Sequence, residues 1–233
     1  MGSSQDLGMG KHLNKHGCYE DQWFQSLSLN MLFESRLLLD ITQRLDMDEK
    51  RIQTVVERYK PEIRQFIKKN SQELWGFKDP ALIYHLPYYY TLFKNPMYIH
   101  LHRNTRDTAG SLFKTFRPSY WIPEMKEKFP LFKPKNRIRI IARSAKLFIM
   151  HQEEYNERQV FEDVIDHGHQ RIKHFLKDKS HISLKLTDLI ESPRQQVDTI
   201  CDFLDLDSDS PQYYNALKFV DPNLINSYDI PEN

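Results

Sequence analysis

Residues 96–113, PMYIHLHRNTRDTAGSLF, carry the densest chemistry in the chain: arginines, an asparagine, an aspartate and a serine where an apolar run meets a helical pattern. Where a strand feeds a helix, the first helical N–H groups lack intrahelical partners and the helix dipole favours negative charge, so phosphate suits the junction. Arg103, at the end of the apolar run, supplies a guanidinium fork. Ser111 supplies a hydroxyl that shares the face of the helix start if the helix is regular. Asn104, with Asp107 three residues on, has the form of a capping box. Spacing alone leaves two readings open: a phosphate monoester site, or a surface arginine beside a serine that faces solvent.

These residues need a strand and a helix behind them, and the periodicities supply both. Helical spacing predicts a helix from Glu20 to about Arg44, with Phe24, Leu27, Met31 and Leu38 on one face, and another over Asp48–Lys69 kinked at Pro61. LWGFKDP (Leu74–Pro80), MYIHLHR and HISLKLTDLI (His181–Ile190) read as strands; ALIYHLPYYYTLF reads as a short helix or turn packed by aromatics. A helix is expected from about Thr105 to Phe116, an irregular loop over 117–136, and a long helix over Arg137–Lys177 broken near Gly168. Ser192 and Pro193 mark the cap and first position of a further helix, and the tail from Ser208 is polar with a small apolar patch. Strands alternating with helices predict an α/β class, a helix-rich single domain over 1–233 with a parallel sheet flanked by helices. Three strands make a thin sheet for that helical mass.

Composition removes other classes. A net charge of +1 over 233 residues gives no bulk attraction to nucleic acid or to an anionic membrane, so any anion site must be local. Cys18 and Cys201 make neither a disulfide framework nor a zinc pattern, which favours a reducing compartment and hence the cytoplasm. No apolar run reaches membrane-spanning length and no signal peptide is visible, so the chain reads as soluble.

Arg-Asn-x-x-Asp-x-x-x-Ser after an apolar strand resembles the 3′-phosphate-binding segment of sulfotransferases that use 3′-phosphoadenosine 5′-phosphosulfate (PAPS). WGFKDP resembles the strand-Lys-Asp-Pro segment that precedes this motif in tyrosylprotein, carbohydrate and bacterial sulfotransferases. SLKLTDLIESPRQQVDTICDFLDL resembles the family's late strand-loop-helix, and NKHGCYED its acidic segment before the first long helix. The resemblance implies a P-loop nucleotide-hydrolase-like fold and transfer of a sulfuryl group from PAPS to an acceptor hydroxyl, without a metal. By the same match Arg103 and Ser111 bind the donor's 3′-phosphate, Glu20 is the general base, and Lys78 stabilises charge on the transferring group. His16 is a second candidate base. Their surroundings also allow plainer roles: a helix-start carboxylate for Glu20, a turn lysine beside Asp79 for Lys78, and a loop histidine for His16.

Lys133, Lys135, Arg137, Arg139, Arg143 and Lys146 read either as a recogniser of an acidic glycan or peptide or as a solvated loop and helix start. Tyr88–Tyr90 read as a stacking platform for adenine or sugar, or as packing. The Arg-Lys-Gly segment of cytosolic sulfotransferases is not found, and carbohydrate is the favoured acceptor. The family's Pro-x-Ser-Gly-Thr-Thr loop is not found either: GMGK (Gly8–Lys11) follows no predicted strand and precedes no Ser or Thr. The expectation is therefore a sulfotransferase domain truncated before its first strand and 5′-phosphosulfate loop, binding PAPS poorly, with its transfer activity as given left open. Two alternatives stand beside it: a non-catalytic sulfotransferase-like binding protein, and a nucleotide-kinase-type phosphotransferase whose Walker lysine and magnesium-binding acid are not identifiable.

Overall fold

Apolar residues at helical spacing build the first layer. The computed structural model describes residues 7–8, 20–70, 75–116, 128–141, 158–208 and 210–220. Helix α1 (Gln22–Glu34) starts at Asp21, whose carboxylate accepts the Phe24 N–H at 2.9 Å, the bond an N-cap makes. It ends at Glu34 because Arg36 takes a left-handed φ of 67°, so the predicted run to Arg44 breaks into α1 and a separate 3-10 turn, Ile41–Arg44. Helix α2 (Glu49–Asn70) continues through Pro61 and buries Ile52, Val56, Tyr59, Ile63 and Phe66. The Phe66 ring packs 4.9 Å from Phe24 and meets Trp23, Trp75 and Phe77 edge-on, contacts worth about 0.5–1.5 kcal/mol each beyond area burial.

The two-residue strands β1 (Leu7–Gly8) and β2 (Glu20–Asp21) pair antiparallel, Gly8 opposite Glu20. After α2, residues 75–79 pair with no strand among the described residues, where the sequence reads Leu74–Pro80 as a strand. Their alternation is real, since Trp75 and Phe77 pack on the core while Lys78 is exposed, but no described strand completes a ladder beside them. Helix α3 (Leu82–His85) and two 3-10 turns, Leu86–Tyr88 and Tyr90–Leu92, then fold the aromatic stretch inward. Tyr89 is fully buried, and Tyr90 packs edge-on against Phe175, so the tyrosine triplet serves packing.

Strand β3 (Tyr98–His102) leads into helix α4 (Thr105–Phe116) and pairs in parallel with β4 (His181–Lys185), Tyr98 opposite His181. Between them runs α5 (Arg158–Leu176), unbroken at Gly168; a Cβ there would lie 3.1 Å from the Ile83 Cδ1, so glycine admits α3 at close range. The third predicted strand stops at Lys185, and Leu186–Glu191 form α6. Helix α7 (Pro193–Leu204) begins with Pro193 as expected, although the Ser192 side chain makes no capping bond, and α8 (Pro211–Phe219) organises the tail. The fold is thus a parallel sheet flanked by helices, but among the described residues that sheet has two strands rather than three.

Parallel register puts Tyr98, His100 and His102 on one face with His181, Ser183 and Lys185, and Ile99 and Leu101 on the other with Ile182 and Leu184. Helix α5 covers the first face, with Tyr98 edge-on to Phe175. On the second face Leu184 is buried, whereas Ile99 and Leu101 stay 43% and 50% exposed. Most of the buried residues among those described fall into three groups. The largest joins α1, α2, α3 and the end of α5; a smaller one, Ile41, Ala109, Phe161 and Val164, joins α4 to the start of α5; the third joins α7 to α8.

Candidate functional site

The junction between β3 and α4 is built from short-range polar contacts. Asn104 caps α4: its Oδ1 accepts the Asp107 N–H at 2.8 Å, and its Nδ2 donates to Asp107 Oδ2 at 2.5 Å. The same carboxylate oxygen accepts from Arg103 Nε at 3.2 Å. Arg103, at the carboxyl end of β3, has a side chain only 16% exposed, while that of Asp107 is 40% exposed. Ser111 is partly buried one turn beyond Asp107, on the same face of α4.

Helix α5 holds this start from outside. Thr105 Oγ1 donates to Asp166 Oδ1 at 2.6 Å, and Arg158 Nη2 donates to the Arg106 carbonyl at 3.1 Å. Arg158 also pairs with Glu162 at 3.3 Å. The anion-favouring end of α4 is therefore fixed at two points by a helix far away in sequence. Because Asn104 takes the Asp107 amide, charge at this site comes chiefly from Arg103 and less from bare backbone donors.

Behind the junction lies a histidine cluster that sequence reasoning missed. The His100 and His102 rings lie 5.2 Å apart on the covered face of β3, and His169 of α5 sits 6.2 and 6.3 Å from them. His100 Nδ1 is 3.2 Å from Ser183 Oγ. Burial, then the neighbouring histidines and Lys173, push His100 down to about 4; burial and His102 also lower His169. The HLH alternation hinted at the first pair, but His169 joins them only through the fold. Among the described residues no group of three or more His, Cys, Asp or Glu has metal-binding geometry.

The other predicted site residues are placed elsewhere. Glu20 is in β2, whose main neighbours are β1 and α1. Lys78 is exposed in the unpaired stretch before α3, beside Asp79, which caps the turn by accepting the Ala81 N–H at 2.8 Å. Arg103 and Ser111 are the two that share one junction. His16, Arg143 and Lys146 lie outside the described residues, as do Met9–Lys11 of the GMGK run.

The basic run is largely engaged within the chain. Lys133 Nζ reaches Glu62 at 2.7 Å and lies over the Tyr59 ring; Lys135 pairs with Glu34 at 3.4 Å; Arg137 donates to the Phe132 and Pro130 carbonyls. Arg139 is exposed. These contacts join residues 132–137 to α1 and α2 around the buried Glu34, which also accepts from Tyr59 at 2.9 Å and Asn136 at 3.1 Å.

A family model described as the sulfotransferase domain matches residues 25–218. The match takes in Lys78, Arg103 and Ser111 and begins after Glu20. No curated protein and no solved structure matches the chain.

Proposed function

Because the chain belongs to the sulfotransferase family, we propose that it moves a sulfuryl group from PAPS to an acceptor hydroxyl, with Arg103 and Ser111 holding the donor's 3′-phosphate. The observation that carries this reading is Arg103 itself: a largely enclosed guanidinium at the end of a parallel strand, directly before a capped helix. Guanidinium and hydroxyl together supply the charge-assisted donors a phosphate monoester takes.

In the transfer, the acceptor oxygen attacks sulfur as the bond from sulfur to the phosphate oxygen breaks, and the nucleotide bisphosphate leaves. Glu20 takes the acceptor's proton and Lys78 faces the charge spreading over the sulfuryl oxygens. These two assignments rest on the motif order, and Glu20 lies ahead of the matched span. The acceptor class we put first is a carbohydrate hydroxyl. The basic run supports it less than its sequence promises, since Lys133, Lys135 and Arg137 are engaged within the chain.

The test is calorimetric titration with adenosine 3′,5′-bisphosphate and with adenosine 5′-phosphate, followed by transfer of labelled sulfate from PAPS to a panel of glycan, tyrosyl-peptide and small hydroxyl acceptors. Preference for the bisphosphate that disappears in Arg103→Ala supports the site. Equal binding of the two nucleotides by the unaltered chain removes it.

A further inference from the structure

We propose that Asp107 is a positioning residue for this site: it orients the Arg103 guanidinium so that the terminal nitrogens meet the nucleotide's 3′-phosphate. The inference rests on the reading of Arg103 given above.

Asp107 is itself held in place. Its backbone N–H is bound by Asn104 Oδ1 at 2.8 Å and its Oδ2 by Asn104 Nδ2 at 2.5 Å, so neither its backbone nor its carboxylate is left to wander. The fixed oxygen receives Arg103 Nε at 3.2 Å. A guanidinium is planar, so fixing Nε constrains the plane in which the two terminal nitrogens lie. An arginine aligned before the ligand arrives loses less freedom on binding, and affinity rises by that difference.

Asp107 also has an opposite effect, since its negative charge repels the phosphate it helps to recruit. Exposure decides between the two. The carboxylate is 40% exposed and screened by water, whereas the guanidinium it aligns is 16% exposed and feels the constraint fully. Alignment therefore outweighs repulsion. Nor is the side chain needed for the helix start, because the acceptor that caps α4 belongs to Asn104.

The experiment measures the affinity ratio between adenosine 3′,5′-bisphosphate and adenosine 5′-phosphate by calorimetry, in the unaltered chain, Asp107→Ala, Asp107→Asn, Arg103→Ala and the Asp107→Ala/Arg103→Ala pair. The expected result is a ratio lowered about tenfold in Asp107→Ala, as loss of a hydrogen bond to a charged group implies. Asp107→Asn keeps an acceptor for Nε and restores part of the ratio. The double variant is no worse than Arg103→Ala alone, since Asp107 acts through that arginine. A tighter ratio in both Asp107 variants means that repulsion dominates, and overturns the proposal. An unchanged ratio, or equal weakening of both nucleotides, means a structural role only and overturns it too. If the unaltered chain shows no preference, the reading of Arg103 itself fails and takes this inference with it.

Discussion

Burial alone would raise the Glu34 carboxyl, whose side chain is 7% exposed, yet the group is held below the usual carboxylate range. The hydrogen bonds from Asn136 and Tyr59 and the charges of Arg58 and Lys135 outweigh desolvation. Glu34→Gln places an amide where donors converge; Arg58 and Lys135, both more than half exposed, regain water, so the loss is about 1–3 kcal/mol in urea unfolding rather than that of a stranded buried pair. His85 behaves oppositely. It is fully buried, its Nε2 lies 3.3 Å from Ser35 Oγ, and burial, then Arg171, push it down to about 3. The folded value lies below the ordinary 6.5, so the unfolded chain binds a proton that the native state refuses. Stability is full above about pH 6.5 and falls as the pH drops toward 3, by about 2 kcal/mol at pH 5. Urea midpoints at pH 7.5 and pH 5 should therefore separate in the unaltered chain and converge in part in His85→Gln, with His100 and His169 supplying the remainder.

Helix ends and strand pairing differ in how far local sequence determines them. The α4 boundaries match the predicted Thr105–Phe116 because the Asn104 side chain sets the start by accepting the Asp107 backbone N–H within one turn. Asn104→Ala should cost about 1 kcal/mol in thermal or urea unfolding, the usual loss of an N-cap. At the other end of the scale of caps, Asp205 closes α7 with a left-handed φ of 53°; Asp205→Gly should raise stability by about 1 kcal/mol or less, measured the same way. Residues 75–79 show what local reading misses. Trp75 and Phe77 turn inward and Lys78 outward as in a strand, but a strand also needs a partner, and partners come from the topology. The polar–apolar alternation of SLKL carries the strand reading on through residues 186–190, but Leu186, Leu189 and Ile190 also have helical spacing, and it is the helix that forms. The candidate site divides similarly: Arg103 and Ser111 are legible at one junction, whereas Asp166, Arg158 and His169 reach it only once α5 has packed.

Among the described residues the buried side chains form three main groups, and helix α4 does not belong to the largest. Helix α4 buries Ala109 against Phe161 and Val164, with Leu112 and Phe113 beside them, while α1, α2 and α3 share the main group. Helix α5 is common to both: Phe161 and Val164 near its start serve the small group, Phe175 and Leu176 at its end the large one. Arg171 anchors that end, bonding the Ile83 carbonyl at 3.0 Å and pairing with Glu49. No helix among the described residues is long and apolar enough to cross a membrane. The division has a consequence for amide exchange. Regions with few buried contacts open as units without global unfolding. The amides of α4 and of the first half of α5 should exchange deuterium together, faster than those of α2, with protection rising along α5 toward Arg171. Nucleotide bound at Arg103 would slow this opening, so the slowed amides would include residues near Phe161, on α5 and outside the β3–α4 junction itself. Uniform protection along α5 would show instead that the chain opens only as a whole.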